Sequence, residues 1–228
     1  MFWKIIKFIL WSIAAFFAFS ILTVVVYKFV PPPITPLMVI RMLEGGIEGR
    51  WVGIEKDWVS YDEISPNLFR AVTSAEDGRF MRHNGIDWKA VEAAKKYNEA
   101  KKGKKLRGAS TISMQTAKNT FLWHGRNYVR KGLEAYFTYL IEYIWGKKRI
   151  LEVYVNVIEW GDGVYGAEAA SQKYFGKSAS ALSKREAALL AAVLPNPRRW
   201  APNVPTKYIN RRVRFIQGRM NSMPLPKD

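Results

Sequence analysis

The sequence contains no cysteine and only two histidines, His83 and His124, among its 228 residues. The lack of cysteine excludes a disulfide framework, a cysteine-based zinc site and a thiol nucleophile. Two histidines are too few for a histidine-rich metal site. The chain also shows no internal repeat and no alternating pattern long enough for a sheet-based fold. We therefore expect an all-α domain whose chemistry depends on carboxylates, polar side chains and cations.

Acidic residues are scarce, with 19 against 36 basic residues and a net charge of +17. Such a balance indicates an anionic partner, which could be nucleic acid, anionic lipid or a phosphorylated substrate. Composition does not choose among these three. Nine tryptophans and twelve phenylalanines favour a protein at a membrane edge over a plain nucleic-acid binder.

Residues 8–27 carry no charge, and about 20 apolar residues suffice to cross a bilayer. Lys4 and Lys7 precede this run, and after Lys28 no basic residue occurs until Arg41. The positive-inside rule then places the N-terminus in the cytoplasm and the rest of the chain outside it. A cleaved signal peptide is the alternative, but the run exceeds the usual apolar region of about 7–15 residues and no small-x-small site follows. We predict an uncleaved, single-pass signal anchor.

The chain divides into an anchor over residues 1–28, a lead-in over 29–64 and one globular domain over 65–228. Four prolines within residues 30–36 make a stiff spacer. A short apolar helix or strand follows, which we expect Gly45, Gly46 and Gly49 to break. Residues 51–54 and 58–61 read as short strands or extended coil, and from Pro66 onward the pattern is helical.

The first stretch that carries chemistry spans residues 75–85. It combines two carboxylates, two arginines and a histidine: Glu76, Asp77, Arg79, Arg82 and His83. Ser65 and Pro66 begin a helix that stops near Gly78. Glu76 then lies in the last turn, where the helix dipole disfavours a carboxylate, and a partly desolvated Glu there would be a good proton acceptor. The alternative is a solvated helix end, with Asp77 capping the next loop.

The second stretch spans residues 108–119. Ser110 or Thr111 can cap a helix on which Thr111, Gln115 and Lys118 share one face. A hydroxyl, an amide and an ammonium group near a helix N-terminus suit an oxyanion or a phosphate. The alternative is an ordinary polar face. The basic run over residues 101–107, with its central glycine, is predicted to be a loop that is either solvated or in contact with lipid headgroups.

The third stretch lies on a predicted long helix over residues 127–145. Arg130 and Glu134 are four residues apart and form either a surface ion pair or a cleft carboxylate held by Arg130 and Lys131. Residues 121–123, between Lys118 and this helix, are an aromatic and apolar patch that belongs either to the core or to a membrane surface. Residues 159–166 form a glycine-rich turn in which glycine serves tight backbone geometry.

These stretches together resemble the peptidoglycan glycosyltransferases, which include monofunctional enzymes and the transglycosylase domain of class A penicillin-binding proteins. Five motifs carry the resemblance, in the family's order and spacing: E-D-x-x-F-x-x-H-x-G at 76–85, G-A-S-T-I-S-x-Q-x-x-K-N at 108–119, R-K-x-x-E at 130–134, R-I-L-E-x-Y-x-N at 149–156 and L-P-N-P at 194–197. An S-x-x-K motif with its transpeptidase partner motifs is not present. The chain therefore resembles the monofunctional, membrane-anchored type.

The resemblance implies an inverting enzyme that polymerises lipid II, a disaccharide-peptide on undecaprenyl pyrophosphate, into β-1,4-linked glycan. Glu76 and Glu134 are the implied catalytic carboxylates, with Glu76 as general base and Glu134 supporting the donor site. The implied substrate-binding residues are Asp77, His83, Ser110, Thr111, Gln115, Lys118, Asn119, Arg130 and Lys131. Among them, the cations would neutralise the leaving pyrophosphate, Thr111 and Gln115 would bind donor phosphate or sugar, and Asp77 and His83 would hold the catalytic loop.

The resemblance also implies a lysozyme-like helical head with a smaller, membrane-associated jaw at about residues 95–128. No cofactor is required, although a divalent cation, Mg²⁺ or Mn²⁺, could bind at Glu76 or Glu134. The implied partners are lipid II, the growing glycan, membrane lipids and a cell-wall synthesis complex, with no nucleic acid. The implied location is the cytoplasmic membrane, with the catalytic domain on its outer side.

Two other functions fit parts of the sequence. Glu76 and Glu134 could serve a glycan-cleaving lysozyme or lytic transglycosylase, but hydrolysis of a neutral bond would not need the cations aligned with Thr111 and Gln115. A membrane-anchored binding or scaffold protein would use the basic run and leave both carboxylates dispensable. A glycan-cleaving enzyme would shorten preformed glycan, a scaffold protein would leave it unchanged, and neither would polymerise lipid II.

Overall fold

The computed structural model describes residues 1–102, 106–125 and 127–226. Its first helix, α1 (Phe2–Phe29), is long and apolar enough to cross a membrane. The second, α2 (Pro36–Ile47), begins where the Thr35 hydroxyl accepts a hydrogen bond from the backbone of Met38. The predicted break is wrong for Gly45 and Gly46, which lie inside α2, whereas Gly49, with φ +70°, follows its end. Gly45 leaves room there for Val52, whose Cγ2 would lie 2.5 Å from an added Cβ.

The remaining helices make up the domain, and the expected all-α fold is confirmed. Their bounds are α3 (Pro66–Glu76), α4 (Trp88–Ala100), α5 (Ile112–Phe121), α6 (Tyr128–Ile144), α7 (Gly146–Val157), α8 (Ala167–Phe175), α9 (Lys184–Val193) and α10 (Lys207–Met220). The predicted caps Ser65 and Thr111, and also Asp87 and Ser183, each accept a backbone hydrogen bond at the start of their helix. Such caps satisfy amide groups that have no partner within the helix.

A small three-stranded sheet was not predicted. It consists of β1 (Glu55–Lys56), β2 (Glu159–Gly161) and β3 (Val164–Tyr165) in the order β1-β3-β2, with β1 parallel and β2 antiparallel to β3. Of the two alternatives predicted for residues 51–54 and 58–61, extended coil applies to 51–54 and 58–60, and a short 3-10 helix begins at Tyr61. Strands of two or three residues are too short to show a period of two, so the sequence pattern could not place them.

The turn between β2 and β3 depends on glycine, as predicted. Gly163 has φ +73°, and a Cβ added there would lie 2.6 Å from the backbone oxygen of Gly53. A side chain is disfavoured in this left-handed conformation, and here it would also collide with the backbone just before β1. The glycine therefore allows β1 and the β2–β3 hairpin to approach each other.

Two groups of packed helices form the core. α3, α9 and α10 pack together, and α5 packs against both α6 and α7. The largest fully buried side chains include Trp160, Tyr154 and Phe69. The predicted jaw contains residues 103–105 and 126, which lie outside the described residues. Within the predicted jaw, α5 is buried in the core, whereas Trp123 just after it is 39% exposed.

The end of α1 is attached directly to the domain. The indole N–H of Trp145 donates to the backbone oxygen of Val24 at 2.7 Å. The guanidinium of Arg149 donates to the backbone oxygens of Tyr27 at 2.8 Å and Val30 at 3.1 Å. The last carbonyls of a helix have no partner within it, and Arg149 supplies one for Tyr27. As a result α1 has a defined position against α6 and α7.

Candidate active site

Glu76 is the last residue of α3, in the last turn as predicted. Its carboxylate lines a cavity of about 310 Å³, which residues 74–79 and 107–111 also line, together with Arg219 from α10. The side-chain amide of Gln115 on α5 donates to Oε2 of Glu76 at 3.0 Å. A carboxylate that is held in the wall of a cavity can accept a proton from a group bound there.

Gln115 is itself held by Tyr154 of α7, whose hydroxyl donates to the amide oxygen of Gln115 at 3.4 Å. Burial raises the pKa of Tyr154 well above its usual value, and the charges of Glu76 and Asp77 raise it further. Tyr154 therefore keeps its proton and remains a hydrogen-bond donor. Sequence reasoning gave Tyr154 no role, although it is the tyrosine of the fourth motif.

Asp77 joins the loop after α3 to the start of α5. One carboxylate oxygen accepts from the backbone N–H of Ile112 at 3.0 Å and from Nε2 of His83 at 2.9 Å. Both side chains of this Asp77–His83 pair are buried. These contacts agree with the predicted role of Asp77 and His83 in holding the loop that carries Glu76.

The hydroxyl of Thr111 is engaged within the protein. It donates to the backbone oxygen of Gly85 and accepts from the backbone N–H of Met114 at 3.1 Å. Ser110 is exposed and lines the cavity beside Glu76, whereas Asn119 is buried within α5. Direct substrate contacts of these three residues remain predictions.

The third motif forms a buried ionic cluster at the start of α6. Glu134 is only 3% exposed and accepts hydrogen bonds from Arg130, at 2.5 Å, and from Lys131. Arg130 is 8% exposed and also donates from Nε to the backbone oxygen of Gly125 at 2.7 Å. The surface ion-pair alternative is therefore wrong for Arg130 and Glu134, because a solvated pair would be exposed.

Lys118 of α5 belongs to the same cluster. Burial lowers its pKa below the usual 10.5, and the positive charges of Arg130, Lys131 and Arg41 lower it further, while Glu134 opposes the shift. Lys118, Arg130 and Lys131 thus lie around one glutamate, and Arg41, which pairs with Glu44 at 2.9 Å, is close enough to act on Lys118. Arg41 comes from α2 and was missed, since nothing in the sequence before the first motif indicates its proximity.

The structure thus brings the predicted residues to two places on one helix. Gln115, which is hydrogen-bonded to Glu76, lies on α5 one turn before Lys118, which lies close to Glu134 and the cations around it. Among the residues that the structure describes, no group of three or more histidines, aspartates and glutamates could hold a metal ion. A carboxylate in the wall of a cavity, one helix turn from a buried cationic cluster, is an arrangement that suits an enzyme acting on a phosphorylated substrate.

Comparison with known proteins identifies the family. A model of the transglycosylase family matches residues 47–221. The biosynthetic peptidoglycan transglycosylase of Rhodospirillum centenum is 59% identical over 85% of this chain and 81% of its own length. Those of Bdellovibrio bacteriovorus and Caulobacter vibrioides are 56% and 54% identical, over 94% and 86% of this chain and 85% and 82% of their own lengths.

The chain therefore belongs to the transglycosylase family, and the resemblance inferred from its motifs is confirmed. It is a glycosyltransferase that acts on peptidoglycan, and lipid II polymerisation is the general reaction of this family. The apolar helix α1 fits a membrane-anchored member of the family.

Proposed function

We propose that this chain polymerises lipid II with Glu76 as the general base. Glu76 removes the proton from the 4-hydroxyl of the acceptor sugar, and that oxygen attacks the anomeric carbon of the donor with inversion. A β-1,4 bond forms as the bond to the lipid pyrophosphate breaks. The observation that carries this proposal is the 3.0 Å hydrogen bond from Gln115, which fixes the Glu76 carboxylate in the wall of its cavity.

The leaving pyrophosphate would be bound by Lys118, Arg130 and Lys131. Gln115 and Lys118 are three residues apart on α5, which corresponds to a rise of about 4.5 Å, so base and cations can act on one sugar–pyrophosphate unit. Buried cations stabilise developing negative charge more than solvated ones do. Glu134 keeps Arg130 and Lys131 in place through its two hydrogen bonds, which makes it a positioning residue.

The proposed location follows from the anchor. Lys4 and Lys7 keep the N-terminus in the cytoplasm, so α1 crosses the cytoplasmic membrane once and the domain works on its outer side. There it meets lipid II, the growing glycan and membrane lipids, and it works with a cell-wall synthesis complex. Neither a cofactor nor nucleic acid is part of this proposal.

The test is polymerisation of labelled lipid II by the detergent-solubilised full chain, with Glu76→Gln beside the wild type. General base catalysis contributes about 10²–10⁴-fold, so we expect long glycan from the wild type and a loss of that order in the variant. Glu92→Gln, the same change at an exposed position of α4, should act like the wild type.

Each other outcome has a defined meaning. Polymerisation by Glu76→Gln at the wild-type rate would exclude Glu76 as the base. Shortening of preformed glycan, with lipid II left intact, would favour the hydrolytic alternative. No action of the wild type on either substrate would favour the scaffold alternative.

A further inference from the structure

A second, larger cavity of about 530 Å³ lies between α1, α2, α5 and α6. Its walls are mainly apolar and include Phe16, Phe19, Tyr27, Val39, Phe121 and Leu133. This volume falls in the range of small-molecule sites, about 300–1,000 Å³. The family match begins at residue 47, so α1 lies before it and α2 ends where it starts. The match therefore does not cover the two helices that form one side of this cavity.

The cavity follows the membrane helix. Its α1 wall runs from Phe16 to Tyr27, which at 1.5 Å per residue is about 16 Å, or about half of a bilayer core of about 30 Å. Tyr27 is near the end of α1, and Thr35 and Trp123 line the cavity from the segments beyond α1 and α5. The shape suits a single chain that lies along α1.

One end of the cavity lies beside the cationic cluster. On α5, Phe121 follows Lys118 by three residues, and on α6, Leu133 follows Arg130 by three. Residues three apart on a helix are neighbours on one face, about 5–6 Å between their Cβ atoms. Two walls of the cavity therefore continue directly into the cations, which indicates a ligand with a long apolar chain and an anionic head.

The walls are held in place. The hydroxyl groups of Ser20 and Tyr136 are 2.8 Å apart and hydrogen-bonded, which joins α1 to α6. The ring of Phe121 stacks on Phe137 at 4.7 Å and on Tyr27 at 5.9 Å between ring centroids. A cavity with fixed walls can bind a flexible chain without first paying to order its own side chains.

We propose that this cavity holds the isoprenoid chain of the donor substrate while its pyrophosphate lies on Lys118, Arg130 and Lys131; this rests on the proposed function. Charge favours this occupant over a phospholipid. Lys118, Arg130 and Lys131 share the single carboxylate of Glu134, and this excess of positive charge suits two linked phosphates better than the single phosphate of a phospholipid.

Photolabelling tests the site without turnover. The full chain in phosphatidylethanolamine–phosphatidylglycerol vesicles is irradiated with a polyprenyl diphosphate that carries a diazirine within its first isoprene units. We expect labels at Phe19, Val39 and Leu133, which unlabelled polyprenyl diphosphate removes and excess phosphatidylglycerol does not. The proposal is overturned if the labels fall equally on outward positions such as Phe8, or if phosphatidylglycerol removes them.

A pair of variants on α1 tests the same site kinetically. Thr23 lines the cavity, whereas Leu22 is 59% exposed and does not line it. We expect Thr23→Trp to reduce labelling at least fivefold and to raise the KM for long-chain lipid II at least fivefold. The KM for an analogue with a short isoprenoid should stay unchanged, which also shows that the variant is folded, and Leu22→Trp should act like the wild type.

The remaining outcomes separate this inference from the proposed function. An equal rise of KM for long and short chains, or unchanged labelling in Thr23→Trp, would overturn the chain-binding site. Specific labelling of the cavity in a wild type that does not polymerise lipid II would support the site and reject polymerisation.

Discussion

Gln115 donates a hydrogen bond to Glu76 at 3.0 Å, and this contact joins α5 to the end of α3. From the sequence we expected Gln115 to bind the donor substrate, because it shares a helix face with Lys118. The structure instead directs its amide N–H to the proposed base, while Tyr154 donates to its amide oxygen. Gln115 therefore acts as a positioning residue in the substrate-free protein.

Replacing Gln115 by alanine should lower kcat more than it changes KM. A hydrogen bond to a charged group contributes about 1.5–3 kcal/mol, so we expect a ten- to hundredfold loss of kcat with the KM for lipid II within about twofold. The measurement is steady-state polymerisation. Gln172→Ala on α8, which removes a glutamine bonded to Glu168, is the matched control. A raised KM with unchanged kcat would instead favour the predicted donor contact.

Replacing Asp77 by alanine should destabilise the fold. The change leaves the backbone N–H of Ile112 and the ring of His83 without their buried acceptor, and each unpaired buried group costs about 1–3 kcal/mol. We expect a free energy of unfolding that is lower by about 2–5 kcal/mol, measured by denaturation in detergent. Asp57→Ala, at an exposed position, should change it little. Equal stability of the two variants would contradict the role of Asp77 in joining the loop after α3 to the start of α5.

Sequence reasoning succeeded where a signal is local. Ser65 and Thr111 mark the starts of their helices because a cap acts on amides two or three residues away. Glu134 was identified with both of its partners because residues three and four apart meet on a helix. The motifs, whose spacing reflects the family, supplied the residues of the site.

The features that sequence reasoning missed depend on contacts between distant segments. Arg41 reaches the cationic cluster only because α2 packs against α5, and Tyr154 meets Gln115 only because α7 packs against α5. The break expected at Gly45 failed for the same reason, since Val52 occupies the space that a side chain would need. No period or local propensity encodes these contacts.

Removal of divalent metal should leave polymerisation unchanged. The charge of Glu134 is already compensated by hydrogen bonds from two cations, and among the described residues Glu76 belongs to no group of three histidines, aspartates or glutamates that could coordinate a hard cation. The test is polymerisation after treatment with EDTA, with and without added Mg²⁺ or Mn²⁺. A loss in EDTA that Mg²⁺ restores would reassign Glu76 or Glu134 as a metal ligand.

The lowered pKa of Lys118 should limit activity at alkaline pH. Burial is the main cause, and Arg130, Lys131 and Arg41 add to it. Below its pKa Lys118 is charged and can bind pyrophosphate. As pH rises it loses that charge at a lower pH than an ordinary lysine, whose pKa is 10.5, so the KM for lipid II should rise on the alkaline side.

The variant Lys118→Arg tests whether Lys118 is the group whose loss of charge raises the KM. A guanidinium stays protonated to above about pH 12, so the alkaline rise in KM should move to higher pH, although the different shape of the side chain will reduce kcat. Lys118→Met should show a KM raised at least tenfold at every pH and no alkaline step from this residue. Lys95→Arg, the same change at an exposed position of α4, should keep the wild-type profile. If the alkaline rise in KM stays at the wild-type pH in Lys118→Arg, the rise is caused by the titration of another group.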